Sequence, residues 1–547
     1  MPSSPAPPSP AEIAALATKY GDGAAGLDPA SEAGMLAAIA EMKAPGGFDV
    51  VIVCCSNQSA ENFWQARLEQ TVQQVTGTAG AAVLAVHEDW NGGAGNGLGT
   101  LYAFQKACAK ARATGGMDLA QRMRDGASVA LYHTAGKGTR LAPLPGAENN
   151  NKPGVKLPGL LTVGGEKKPF TVLESVIRQT SAYAKVRGGR CSVFWGDQIF
   201  VPSVALSGGD HPADILAALR PMPSKEEWEA GALHQYGLIA VDPRGDAMQL
   251  EKVTYDVAKA YLPADVTAVG TSLGSFSVSA ALMDALTDEF AAELKAKEAC
   301  LDSDPHFWMP LTLKRSDYLQ VMEKKGTDAA ESGAHFDRMA AFRKKLLPAG
   351  GAVLGCVDIG SSAYWWDYGR LELYMDNNLL LTEQSASAAA LRAFLELEPP
   401  QQASSAGATA VAPTALVVNC KIGKGKVDGR SVLVNVSAPS VDVEGAILMN
   451  VTSKRPIVSK GGLLYNVVDA ESAGELRCDA VRADVFMEGK QHVINSALSI
   501  DGGKAWKQQL DGNPMSFEGV YKANLPLDVG ECTNLAAEAH AAARAKR

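Results

Sequence analysis

The sequence predicts an α/β fold, a Rossmann-like and mostly parallel sheet, followed by a β-rich, β-helix-like C-terminal domain. Three observations lead there. Apolar runs dense in β-branched residues recur along the first two thirds of the chain, helical patterns separate them, and past a small-residue stretch the helical pattern gives way to short V/I/L alternations.

The first run is Phe48–Cys55 (FDVVIVCC), and Ser56-Asn57 then opens the helical pattern Ala60–Gln74. A continuous apolar strand feeding a helix is the unit of a parallel sheet buried on both faces. The same grammar recurs at Ala81–Val86, Ser128–Tyr132 and Ser192–Trp195, with a helical stretch at Thr171–Tyr183. Between Leu397 and Pro413 the chain reads PPQQASSAGATAVAP, a linker by composition. Beyond it, CKIGKGKVDGRSVLVNVS, SVDVEGAILMNVTS and GGLLYNVVD carry strand patterns broken by Gly and Asn, with Val434, Val436, Ile447 and Leu448 as candidate core. The expected organisation is a tail and helical lead-in over 1–45, an α/β domain over 46–396, a linker over 397–413 and a β-helix-like domain over 414–547.

Composition narrows the function classes. With 547 residues, 46% hydrophobic and 20% charged, the chain is long enough for two or three stable cores. A net charge of −9 argues against an extended nucleic-acid surface, so any phosphate site must be local. Nine cysteines without CxxC spacing give neither a zinc cluster nor a disulfide framework, which fits reduced thiols. Met1–Pro10 is Pro and Ser rich and lacks the parts of a secretory signal, and no apolar run approaches the roughly 20 residues of a membrane span. A cytoplasmic protein without membrane or nucleic-acid partners is the expectation.

The sharpest chemical feature is ALYHTAGKGTRL, Ala130–Leu141, a strand end entering a loop with two glycines, a hydroxyl and an arginine. Small residues let backbone N–H groups approach phosphate oxygens, and a guanidinium can neutralise them, although a glycine loop after a strand also serves as a plain tight turn. Two lysines follow in KPGVKLP, Lys152 and Lys156, where transfer of a nucleotidyl group would need positive charge. In VFWGDQIF, Asp197 comes directly after an apolar strand, at the end where open α/β sheets bind ligands. A second acid, Asp367, stands in YWWDYG ahead of the helical segment Arg370–Leu381, and Asp358 in CVDIG competes with it. A carboxylate so placed suits Mg2+ and equally suits a helix N-cap.

Taken in order, GKGTRLAPLP, KP, WGDQIF, LEK, LGSFSVSAALMDAL and WWDYGRLELYMDNN resemble the sugar-1-phosphate nucleotidyltransferases, the NDP-sugar pyrophosphorylases that carry a GxGTRLxPL loop. The resemblance spans Ser128–Leu381. It implies that Gly136, Gly138, Thr139 and Arg140 hold the triphosphate and that Lys152 is the catalytic lysine, with Lys156 the fallback. It further implies Asp197 and Asp367 as metal ligands for Mg2+, and Glu251, Lys252 and Gly274 as contacts to the sugar phosphate. Lys137 beside the glycines, Val253 where proline commonly follows Glu-Lys, and an extra βα region ahead of the loop depart from the family pattern.

That N-terminal region, DVVIVCCSNQSAENFWQARLE and HEDWNGGAGNGLGTLYAFQKA, is similar to the fucose-1-phosphate guanylyltransferase subgroup, which also carries a β-helical C-terminal part. Gly92–Thr100 does not fit GxGxxG; a second phosphate-proximal loop and a turn capping a helix are both open. The function implied is joining an NTP to a sugar 1-phosphate with release of pyrophosphate, the base and sugar being open. The alternative is a catalytically inactive regulatory protein that binds sugar nucleotides on the same fold. An acyltransferase role for the C-terminal domain lacks a histidine near Ile422–Val451, since His492 lies outside it. A purely structural or homo-oligomerisation module is the expected use of that domain.

Overall fold

In the computed structural model, residues 30–397 and 408–545 are described. The proline-rich start of the chain and most of the stretch read as linker lie outside the described residues. The strands of the first domain are, in chain order, β1 Val50–Cys55, β2 Ala82–His87, β3 Val129–His133, β4 Lys156–Val163, β5 Glu166–Thr171, β6 Arg190–Trp195, β7 Gln198–Val201, β8 Ala213–Pro221, β9 Gly237–Val241, β10 Ala247–Glu251, β11 Ala268–Ser279, β12 Leu354–Asp358 and β13 Tyr364–Asp367. Nine of them form one mixed sheet in the order β10-β9-β11-β6-β3-β1-β2, with β8 pairing β11 and β12. Strands β2, β1, β3 and β6 are mutually parallel, and β11 joins β6 antiparallel.

The continuous apolar run of β1 has a direct explanation in two-sided burial. Val51, Val53 and Cys55 point into the core that holds Trp64 and Leu68, whereas Val50, Ile52 and Cys54 point into the one that holds Leu98 and Trp308. Both faces are covered by helices, as a parallel sheet requires. The helix Gln58–Thr76 starts on Asn57, whose side chain accepts from the Ala60 N–H at 2.8 Å, and it stops at Gly77 in the left-handed region. Gly92 and Gly93 form a turn, and Gly95–Gly115 is a helix, so Gly95–Thr100 belongs to its first turns.

The lead-in helix Glu32–Glu41 buries Met35, Leu36 and Ile39 in the α/β core and so is part of that domain. The motif LGSFSVSAALMDAL divides at Ser279, where strand β11 ends and the serine caps the helix Ala280–Glu289.

The C-terminal domain is a separate β-rich sheet of mostly parallel strands. Leu416, Val432, Ile447, Leu463 and Val481 stack one over the next as register partners. Asn419, Asn435, Asn450 and Asn466 recur at one corner in left-handed backbone and pass side-chain hydrogen bonds of 2.7 to 3.0 Å along the stack. Asparagine tolerates that conformation better than other residues with a side chain. Val434, Val436, Ile447 and Leu448 are buried.

Two readings of this domain are corrected. Ala408–Val411, inside the supposed linker, is a strand paired with Lys421–Val427. The domain also carries two helices, Phe517–Asn524 and Val529–Ala545, where the sequence pattern gives little helical signal. The narrow buried stripe Val529, Ala536, His540 and Ala543 explains why the second is hard to read, because alanine makes a weak periodic signal.

All nine cysteines are unpaired thiols. Among the described residues, no helix is long and apolar enough to cross a membrane.

Candidate active site

Strand β6 lies centrally and ends at Trp195, so the Gly196-Asp197 turn is delivered to the C-terminal edge of the parallel strands. The chain then enters β7, which pairs antiparallel with β13 so that Gln198 faces Asp367. The Tyr368 N–H donates to the Asp197 carbonyl at 2.9 Å. This two-stranded ladder brings together two acids from distant parts of the chain. A Cβ placed on Gly369 would stand 2.9 Å from Asp367 Oδ1 and 3.0 Å from Asp197 Oδ2, so the missing side chain leaves room for both carboxylates at one point. Gly369 N–H donates to Asp367 Oδ1 at 2.6 Å. Burial pushes the Asp367 carboxyl up, and the Asp197 carboxylate pushes it further against the opposing pull of that N–H, Lys152 and Arg140.

The cations arrive from the loop after β3. Gly136 and Gly138 have φ of 139° and 62°, which a glycine adopts without strain. Gly138 is also crowded: an added Cβ would meet Lys152 Cδ at 3.1 Å and Pro145 Cγ at 3.0 Å. Thr139, Arg140 and Leu141 form a 3₁₀ turn that buries Leu141 and leaves Arg140 exposed. Lys152 sits in a second 3₁₀ turn, held by Pro153, and its Nζ donates to Asp197 Oδ2 at 2.5 Å.

The other lysine goes elsewhere. Lys156 pairs with Glu148 and lies over the Tyr465 ring, at the wall of a separate cavity of about 520 Å3 between the two domains. Asp358 is also away from the acids: its Oδ1 accepts from Leu219 and Gly360 N–H groups at 3.0 and 2.8 Å and closes a turn.

A cleft of about 300 Å3 opens beside Lys152 and Asp197, lined also by Glu88, Asn96, His133 and Trp195. Asn96 belongs to the Gly92–Thr100 stretch whose role the sequence leaves open, no motif gives Glu88 a role, and His133 closes β3 inside the run Ala130–Leu141. Its ring stacks on Trp195 with centroids 5.3 Å apart, its Nε2 lies 2.9 Å from Thr100 Oγ1, and burial pulls its imidazole down to about 4.

No family model and no curated protein matches this chain. Solved structures similar to it include HddC from Yersinia pseudotuberculosis complexed with GMP-PN. Identity is 10%, the TM-score is 0.22, and the match covers 60% of this chain and 96% of that one. A likeness at that TM-score bears on neither the fold nor the chemistry of this chain, which stand on the residues themselves.

The residues expected to meet the sugar phosphate divide. Gly274, with φ of 72°, abuts the cleft wall, where an added Cβ would fall 2.7 Å from Trp195 Nε1. Glu251 and Lys252 do not line the cleft. Glu251 ends β10, and its carboxylate lies over Gly237, where an added Cβ would meet Glu251 Oε2 at 3.0 Å and Ser272 Cβ at 3.9 Å. Lys252 is exposed, in left-handed backbone with φ of 51°.

The C-terminal domain also reaches the glycine loop. Gly502 packs on Thr139, Asn524 bonds Gly146 and Asn150, and Lys137 lies over the Tyr521 ring at 5.4 Å. Residues beyond the stacked strands are thus packed onto the loop of the same chain.

Proposed function

We propose that this protein is a sugar-1-phosphate nucleotidyltransferase, converting an NTP and a sugar 1-phosphate into an NDP-sugar and pyrophosphate. One observation carries the reading: Lys152, Asp197 and Asp367 meet at one strand edge beside the positive-φ glycine loop that bears Arg140. In this reading the loop amides and Arg140 hold the triphosphate. A phosphate oxygen of the sugar 1-phosphate bonds to the α-phosphorus, and the bond from that phosphorus to the β-phosphate oxygen breaks. The nucleophile is already anionic, so no strong general base is needed. The protein's part is alignment and neutralisation of charge moving toward pyrophosphate.

Asp197 and Asp367 are the residues that would hold Mg2+. Their fit rests on two carboxylate oxygens that crowd one point beside Gly369, with the Asp367 carboxyl pushed toward its protonated form by burial and further by the Asp197 charge, an arrangement that a divalent cation relieves. Among the described residues there is no group of three or more His, Cys, Asp or Glu for an all-protein cage. Mg2+ commonly takes one or two carboxylates and completes its shell with phosphates and water. When bound, it supplies positive charge to the phosphates being rearranged.

The test is a pyrophosphate-release screen of ATP, GTP, UTP, CTP and dTTP against sugar 1-phosphates with Mg2+, run on the wild-type chain and on Asp197→Ala. Release that depends on one pair and vanishes in the variant is expected. Saturable nucleotide binding with no release from any pair would instead favour a binding-only regulatory protein.

A further inference from the structure

We propose that the C-terminal segment Asp501–Asn524 completes the nucleotide loop from within the same chain, with Gly502 as a positioning residue. The inference rests on the nucleotide reading given above. Asp501 Oδ1 accepts from the Gly503 and Lys504 N–H groups at 2.8 and 3.2 Å, which curls the backbone into a tight turn. That turn is seated on the loop. Gly502 is buried, and any Cβ there would fall 2.4 Å from the Thr139 carbonyl oxygen and 3.1 Å from Ala142 Cβ. A Cβ on Gly503 would lie 3.5 Å from Thr139 Oγ1 and 3.6 Å from Arg140 Cγ. Backbone therefore lies flat against the two residues expected to face the triphosphate.

The same segment holds the far end of the loop. Asn524 Nδ2 donates to the Gly146 carbonyl at 2.9 Å and to Asn150 Oδ1 at 3.3 Å, while its Oδ1 accepts from Asn149 Nδ2 at 3.2 Å. Asn150 Nδ2 in turn donates to the Tyr521 carbonyl at 2.7 Å. Asn149 and Asn150 stand in left-handed backbone just before Lys152, a conformation that surrounding contacts must hold in place. Between the two anchor points Ala142, Ile494, Ala505, Phe517 and Val520 share one apolar cluster. The contacts thus bracket the stretch that carries Arg140 and leads into Lys152. A site of this kind is sensitive to displacements of about 1 Å, which can cost on the order of a hundredfold in rate.

The test uses the full chain as Gly502→Ala, with Gly512→Ala as the control. Gly512 lies in the same segment with open space around it; unlike Gly502 it stands at positive φ, so the control carries backbone strain without a clash against the loop. Nucleotide affinity is measured with each of the five NTPs and Mg2+, hydrogen exchange over residues 136–152 is followed without nucleotide, and thermal midpoints are recorded. Expected is a loss of roughly tenfold or more in affinity and faster exchange over 136–142 in Gly502→Ala alone. Affinity and exchange equal to wild type would overturn the proposal. Should Gly502→Ala fail to fold, Asn524→Asp removes the two donated bonds at the other anchor and is read the same way. If the wild type binds none of the nucleotides, the nucleotide reading fails, and exchange still decides whether the segment holds the loop.

Discussion

Lys152 Nζ stands 2.5 Å from Asp197 Oδ2, with side chains 20% and 19% exposed, so the two charges expected to meet phosphate and metal are bound to each other. A substrate phosphate must therefore compete with Asp197 for the ammonium. Lys152→Ala is expected to lower kcat/KM for pyrophosphate release by about 10²- to 10³-fold, the usual cost of losing one preorganised stabilising group. Activity within twofold of wild type would remove Lys152 from the chemistry.

Lys156→Met separates the two lysines of the KPGVK segment. Its partner Glu148 is largely buried and would keep only the Tyr465 hydroxyl, so unfolding by denaturant should lose about 3 kcal/mol. The kinetic constants should stay within a factor of about two. A large fall in kcat with stability unchanged would restore Lys156 as the fallback.

Gly369→Ala tests the spacing of the acids. Its methyl group would press on Asp367 Oδ1 and Asp197 Oδ2 together, and Gly369 is not in left-handed backbone, so the cost is steric and local. The Mg2+ concentration for half-maximal activity should rise at least roughly tenfold, with the thermal midpoint changed little. An unchanged Mg2+ dependence would separate the two carboxylates functionally.

Acid should destabilise the protein through two histidines. Burial pulls His540 from 6.5 down to about 3, with the Arg544 and Lys156 charges adding to it, and His133 falls to about 4. A folded-state value below the unfolded one means that the unfolded chain binds more protons in this range. The stability contributed is whole above pH 6.5 and drains away as pH falls toward 4, and further toward 3 for His540. His540→Gln should flatten the dependence of the thermal midpoint between pH 6.5 and 4. A midpoint that climbs on acidification through that window would refute the assignment.

Much of the first domain was legible because its strands are buried on both faces. β1, β2, β3 and β6 begin and end within two residues of the apolar runs that announced them. The C-terminal helices were not, since alanine, a strong helix former, gives little contrast between a buried and an exposed face. Of the candidate site, Asp197 and the glycine loop stand out as residues at a strand's end. Glu88, Asn96 and His133 become neighbours only once the helix Gly95–Gly115 is laid beside β3. Gly502 carries no motif at all, and its meaning is a contact distance.

By itself the sequence determined the alternation of strands and helices, the positions where only glycine relieves the backbone, and a short inventory of acids and bases at strand ends, because these follow from local sterics and two-sided burial. Only the tertiary structure decided which members of that inventory meet. Whether Lys152 or Lys156 faces Asp197, whether Asp367 or Asp358 joins it, and that a C-terminal turn rests on Thr139 are settled by packing between distant segments. Side-chain chemistry along the chain carries no record of such distances.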